Sequence, residues 1–287
     1  MALNSTSVSG PSPNWYMENT CRHPWDTYVA PFKMAPNVWF IGGNNWVACY
    51  LIETSEGCIL IDTAVHESVY MMIDNIYKIG HKPTDIKKIL LSHAHIDHIG
   101  GAAAMKQVTG AQVYMSRRDV EEYLHKRPEL ATLSDQYTCC LFDPDCYYDD
   151  NIPIILGDTV IHSVATPGHT PGTTSFYFDV TTPEGKTLTC AMHGGIGLNT
   201  LSKKWFLEND QPESLLDEYI QQLRMCDTWK VDITLPSHTN QVGILPLIPE
   251  DRTDYTPFVD AGIWHELMAE RLERGLKQKA ENEAYCG

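Results

Sequence analysis

The stretch LLSHAHIDHIGG, residues 90–101, places His93, His95, Asp97 and His98 within six consecutive positions. It follows the apolar run KKILLS, residues 87–92, which reads as a short buried strand. A strand end fixes backbone direction, and the loop beyond it can turn several side chains toward one point. Residues 93 and 95 alternate toward one side, which leaves Asp97 and His98 to face a neighbouring position. Imidazole and carboxylate together suit a borderline divalent ion, zinc above all. As core packing, the four would be costly unpaired polar groups. The remaining alternative is a His-rich surface turn. Two further histidines occupy comparable places. His169 lies in VATPGHTPGTTSF, between Pro-Gly turns and before a new strand, and His238 lies in DITLPSHTNQ, straight after an apolar strand. A lone loop histidine is commonly a surface residue, but both share the strand-end position of the first cluster and join it as candidate ligands.

The elements that must position these groups can be read along the chain. Residues 1–35 form an extended arm with Pro11, Pro13, Pro24 and Pro31. Strands are predicted over 38–41, 47–53 and 58–62, separated by Gly-Asn and Ser-Glu-Gly turns. Helical spacing covers 66–79 and stops at Gly80, a C-cap residue. A helix runs from Gly101 to Gly110, a strand covers 111–116, and 117–125 is helical. Residues 133–150 have no clean period and read as a long loop, either a functional lid or a surface insertion. Strands return over 159–165, 173–180 and 186–192, then a helix over 212–225, a strand over 231–236, and an amphipathic helix over 257–283. No fixed-period repeat occurs, so residues 36–287 read as a single domain: a sheet sandwich with helices outside.

Composition narrows the partners. The 287 residues are 43% hydrophobic and carry a net charge of −16. That charge repels nucleic acid and anionic membranes at long range, but leaves room for an anionic small molecule at a local cationic site. No run of about eighteen apolar residues exists, so no transmembrane helix is expected. The N-terminus MALNSTSVSGPSPNWYMENT lacks the basic start and apolar stretch of a secretory signal. Nine cysteines, an odd count without a CxxC pair, fit reduced thiols in a cytoplasm, not a disulfide framework.

SHAHIDH, TPGHTPGTTSF and the late strand-end histidine resemble the metallo-β-lactamase superfamily. The segments VACYLIETSEGCILIDTA, KILLSHAHIDHIGGAAAMKQVTGAQVYMS and TPFVDAGIWHELMAERLERGL are similar to its subclass B3 in particular, and the resemblance spans residues 25–283. It implies an α/β fold, the four-layer αββα sandwich, with the site at one edge of two sheets. It implies that His93, His95 and His169 hold a first zinc and that Asp97, His98 and His238 hold a second. Two ions would lower the pKa of bound water, giving a hydroxide nucleophile at neutral pH. The first would polarise the substrate carbonyl, and Asp97 would orient the hydroxide as well as bind metal. Asp62, closing CILID, resembles an early Asp of the superfamily that holds a ligand histidine; it is otherwise an ordinary turn residue.

The chain departs from the B3 pattern at Ala191-Met192-His193-Gly194-Gly195. His193 and Gly195 stand where the subclass has two Ser residues that help hold a β-lactam carboxylate. His193 is an added zinc ligand, a donor to substrate, or a structural histidine. Lys203, Lys204 or Tyr148 would then be candidates for substrate binding. Trp46 either borders the pocket or is a half-buried strand-edge aromatic. The first expectation is a zinc hydrolase opening a cyclic amide, β-lactam-like. The second is an intracellular lactone, thioester or other amide hydrolase with weak β-lactamase activity. A mononuclear iron dioxygenase and a structural metal module are opposed by the complete second set Asp97, His98 and His238. A small molecule is the expected partner, and the oligomeric state is left open.

Overall fold

The computed structural model describes residues 20–132 and 142–285. A first sheet has seven strands in sequential order: β1 (Phe32–Ala35), β2 (Val38–Phe40), β3 (Tyr50–Thr54), β4 (Gly57–Ile61), β5 (Ile86–Leu90), β6 (Gln112–Met115) and β7 (Cys146–Tyr147). It is antiparallel up to β4 and parallel from β4 to β7. A second sheet has five strands: β8 (Ile154–Leu156), β9 (Thr159–Ala165), β10 (Thr174–Thr181), β11 (Thr187–Met192) and β12 (Ile233–Thr234), in the order β12-β11-β10-β9-β8.

Side-chain alternation decides the layers. In β3, Tyr50 and Ile52 join one core cluster while Leu51 joins another, and in β4 Ile59 and Ile61 separate from Cys58 and Leu60 in the same way. Each strand therefore buries both faces, as expected where a sheet is covered on both sides. One cluster lies against Phe176, Phe178 and Val180 of the second sheet. The other lies under helices α1 (Val69–Lys78), α2 (Ile96–Ile99), α3 (Ala102–Thr109), α4 (Arg117–Asp119, continuing as a π-helical stretch Val120–His125) and α5 (Pro128–Thr132). The outer helices of the other half are α6 (Lys203–Asn209), α7 (Ser214–Cys226) and α8 (Ala261–Glu283). In α7, Leu215, Leu216, Tyr219, Ile220, Leu223 and Cys226 share the buried face, and Trp264 of α8 donates its indole N–H to the Cys226 carbonyl at 2.8 Å. The result is the αββα sandwich.

Several expected bounds shift. β1 begins inside the stretch expected as an arm, because Phe32 and Lys33 pair with β2. The late strand is only Ile233–Thr234; Leu235 N–H still donates to the Ala191 carbonyl at 2.8 Å, and the chain then turns away to carry His238. The C-terminal helix starts at Ala261, after a 3₁₀ turn at Thr256–Phe258, and is capped by the Asp260 carboxylate accepting from Gly262 N–H at 2.8 Å. Residues 133–141 of the expected loop lie outside the described residues. Among the described residues, no helix is long and apolar enough to cross a membrane.

Phe176 is fully buried, with its ring edge-on to Tyr148 at 5.6 Å. Phe176→Ala should lower stability by about 3–5 kcal/mol in urea unfolding. A loss under about 1 kcal/mol would mean the core collapses around that site.

Candidate metal centre

The six candidate ligands converge from three places: the end of β5, the β9–β10 loop and the end of β12. Asp62 N–H donates to the Leu90 carbonyl at 2.9 Å, which keeps the ends of β4 and β5 level. β5 then runs through Leu91 and Ser92 to His93. His95 opens α2, and its carbonyl accepts from the His98 and Ile99 N–H groups at 2.8 and 3.0 Å. That single turn of helix puts Asp97 and His98 beside His93 and His95. Thr174 N–H donates to the Ser92 carbonyl at 2.8 Å, so the β9–β10 loop carrying His169 is tied to the same strand end. His238 follows β12 and bridges to Val47.

The result is two triads. In His93, His95 and His169, and again in Asp97, His98 and His238, one ligand atom from each residue lies within 4.8 Å of the others. The His93 and His98 rings are 4.1 Å apart between centroids, so the triads adjoin. All six groups are buried or nearly so. Their hydrogen bonds fix the tautomers. His169 Nδ1 donates to the Gly197 carbonyl at 3.0 Å, which can only accept, so Nε2 carries the lone pair. His98 Nδ1 donates to the Asp62 carboxylate at 2.8 Å and likewise frees Nε2. His93 Nδ1 lies 3.1 Å from Ser92 Oγ, while its buried Nε2 has no hydrogen-bond partner. These nitrogens meet those of the remaining histidines: His95 Nδ1 lies 3.0 Å from His169 Nε2, and His98 Nε2 lies 3.2 Å from His238 Nε2. Asp97 Oδ2 completes the second triad at 3.5 Å from His98 and 3.6 Å from His238. Convergent lone pairs and a buried orphan nitrogen are what a zinc ion with N and O ligands requires.

Electrostatics agree. Burial, then the charges of the neighbouring imidazoles, holds His93, His95 and His238 well below the ordinary histidine range and His169 at about 3. His98 moves the other way: burial opposes its charge, but the Asp97 and Asp62 carboxylates together raise it. Burial raises the Asp97 carboxyl against the pull of His98. At neutral pH the four depressed imidazoles are deprotonated, the form that binds metal.

The structure sorts the other expected residues. Asp62 sits where the sequence suggests, accepting from Ser92 N–H, Ser92 Oγ and His98 at 2.7–2.8 Å. Trp46 tilts over the His238 ring at 4.8 Å and borders the site. His193 is not brought to the triads. Its Nε2 donates to Gln222 Oε1 at 2.7 Å and its Nδ1 accepts from Gly195 N–H, the arrangement of a structural histidine; burial pushes its pKa down to about 4. Gly195 does not face substrate through a side chain, because a Cβ there would lie 2.7 Å from His169 Cδ2. Tyr148 OH is turned to the Leu91 and Tyr114 carbonyls at 3.1 and 3.0 Å. The Lys203 ammonium is committed to Glu213, and Lys204 pairs with Glu208 at 3.7 Å. Sequence reasoning missed Ser92, although it stands directly before His93 in the motif; its hydroxyl joins Asp62 to the first triad.

Two outcomes follow. A Ser at position 195 must push the His169 ring aside, so Gly195→Ser should weaken zinc binding about tenfold or more in a chelator competition; unchanged affinity would show that the backbone yields instead. The pH profile of the metal-free protein carries a definite sign. Above about pH 6.5 neither folded nor unfolded His169 or His193 binds a proton. Below it the unfolded chain protonates both, while the folded chain resists down to about 3 and 4. Stability should therefore fall between pH 6.5 and 4 by up to about 1.4 kcal/mol per unit for each such histidine. Thermal melts from pH 7.5 to 4.5 check this, and a flat profile would mean the buried imidazoles carry charge.

Comparison with known proteins agrees with this geometry. The family model for the metallo-beta-lactamase superfamily matches residues 44–190. The solved structure of BJP-1, a subclass B3 metallo-beta-lactamase of Bradyrhizobium japonicum, is similar with a TM-score of 0.78 and 29% identity, over 92% of this chain and 98% of that one. The class B3 di-zinc metallo-beta-lactamase LRA-12 from an Alaskan soil metagenome is similar with a TM-score of 0.77 and 27% identity, over 88% and 96%. The N-acyl homoserine lactonase AiiA of Bacillus thuringiensis subsp. kurstaki is 27% identical over 159 residues, which cover 46% of this chain and 58% of the lactonase. The chain thus spans little more than half the length of that curated relative. Half of the chain matching the family model, the sandwich fold and the two triads at its edge together place the chain in the metallo-β-lactamase superfamily.

Proposed function

We propose that the chain is a di-zinc hydrolase that opens a cyclic acyl compound, with His93, His95 and His169 holding one ion and Asp97, His98 and His238 the other. The observation that carries this is the pair of adjoining triads, in each of which one ligand atom per residue converges within 4.8 Å of the others. Zinc bound there supplies Lewis-acid polarisation of a carbonyl and a lowered pKa for water. The chain supplies the rest. Asp97 is the carboxylate among the six, and we assign it the second task of holding the attacking water's proton at a carboxylate oxygen. Asp62 keeps the His98 ring in the tautomer that presents Nε2. Trp46 gives the site an apolar wall beside His238.

The substrate reading divides between a cyclic amide of β-lactam type and a lactone, and one set of observations favours the lactone. A β-lactam antibiotic carries a carboxylate that needs a donor or cation. The side chains the sequence offered for it are occupied elsewhere: His193 by Gln222, Tyr148 by two carbonyls, Lys203 by Glu213, and position 195 has no room. Arg271, a cation close enough to help push the His169, His193 and His238 pKa values down, has its Nε 2.9 Å from Glu270. A neutral lactone ring makes no such demand. The resemblance to a lactonase over half its length supports the same choice.

The test measures kcat/KM for an N-acyl homoserine lactone and for a chromogenic cephalosporin, each with zinc and with chelator. The lactone should exceed the cephalosporin by at least tenfold, with a value above about 10⁴ M⁻¹s⁻¹. The reverse ranking would return the cyclic amide as the substrate. Chelation and His95→Ala should abolish both activities; full activity in metal-free protein would overturn the hydrolytic site.

A further inference from the structure

Asp119 is the last residue of α4, the short helical turn that follows β6. It is fully buried, yet among the described residues it makes no ion pair. Its carboxylate spans two loops. Oδ2 accepts from Ala94 N–H at 2.7 Å and from Thr170 Oγ1 at 2.8 Å, and Oδ1 accepts from Gly172 N–H at 2.5 Å. Ala94 stands between His93 and His95, and Thr170 follows His169. One buried carboxylate thus joins the two backbone segments that carry the first triad. It makes no hydrogen bond to Asp97, His98 or His238, although the segment it holds at Ala94 continues into the turn that carries Asp97 and His98.

The fit around it is close. A Cβ on residue 172 would lie 2.5 Å from Asp119 N, so glycine is what lets the His169 loop reach the carboxylate. Thr170 Oγ1 also meets Thr173 Oγ1 at 2.9 Å, which sets the direction of the loop before β10. A buried carboxylate without a cation is expensive unless several donors satisfy it. Three donors do so here, and all three belong to ligand-bearing loops. An amide in its place could accept through one oxygen only. Its NH₂ would then oppose a backbone N–H, donor against donor, and one of the two loops would come free.

We propose that Asp119 is the positioning residue of the first metal triad. Its carboxylate sets the spacing between the His93–His95 segment and the His169 loop, and with it the zinc affinity and coordination geometry of that site and not of the second. The inference rests on reading the two triads as zinc sites.

The test uses the full chain, stripped of metal and titrated with zinc against a chromophoric chelator, then with cobalt, whose visible absorption reports coordination geometry. Asp119→Asn should weaken one of the two binding steps about 10- to 100-fold and leave the other unchanged. The cobalt spectrum of the weakened step should change in position or intensity. Thr170→Val removes one donor of the three and should shift the same step in the same direction by less. It keeps the question answerable if Asp119→Asn does not fold. Circular dichroism of the metal-free variants checks the fold. Wild-type affinities and an unaltered cobalt spectrum in a folded variant would overturn the role of Asp119 while leaving the triads intact. Equal weakening of both steps would overturn its selectivity for the first. A wild-type chain that takes up no metal would overturn the zinc sites themselves, and this inference with them.

Discussion

Imidazole nitrogens that face one another at 3.0 and 3.2 Å in a largely buried cluster are the constraint on which the rest of this molecule depends. In the metal-free state such a cluster can share only a proton or two, and its nitrogens resist protonation because burial and mutual charge oppose it. The arrangement is unfavourable by itself. It persists because each ring is held from its far side: His169 by the Gly197 carbonyl, His98 by Asp62, and His93 by Ser92. Those partners fix the tautomer before any ion arrives, so little rearrangement remains for binding. Orientation is thus supplied by groups that never touch the ion.

The sandwich explains how those partners come to be there. Buried strands with apolar residues on both faces leave no freedom to slide, because a one-residue slip would exchange the two core clusters. β4 and β5 run parallel and end level, which puts Asp62 beside Ser92 and, one helical turn later, beside His98. The second sheet contributes His169 and His238 from the same edge. A hydrogen bond from Thr174 to Ser92 and the bridge from Val47 to His238 stitch the sheets together where the ligands meet. Packing over the whole domain therefore decides distances at the centre.

The two triads were legible in the sequence because four of their residues are local: a strand end followed by one turn of helix brings His93, His95, Asp97 and His98 together. His169 and His238 were legible by position after or before apolar strands, and the layer architecture followed from the strand and helix periods. The environment of each residue was less legible. Gly195 and His193 align with residues that touch substrate in the subclass they resemble, but alignment carries no information about what a Cβ would meet, and His169 occupies that space. Tyr148 and Lys203 had the right chemistry and the wrong partners, since a hydroxyl or ammonium is claimed by whichever acceptor the fold brings nearest. Asp119 carried no local signal, because its partners are backbone N–H groups and a threonine hydroxyl contributed from two other loops.

The same reasoning separates what this scaffold holds constant from what it leaves open. Residues behind the triads are constrained by bonds to the ligands, and a substitution there must preserve a donor or acceptor at one distance. Residues in front face only substrate and can change without disturbing the metal geometry. The position of His193 shows the two sides meeting. Once the chain turns that ring away to Gln222, the backbone at Gly194–Gly195 is free to close on His169, and the closure removes the space a carboxylate-holding side chain would occupy. A side chain at position 195 and the His169 ring compete for one space, so the packing that supports the first triad also limits what the front of the site can carry.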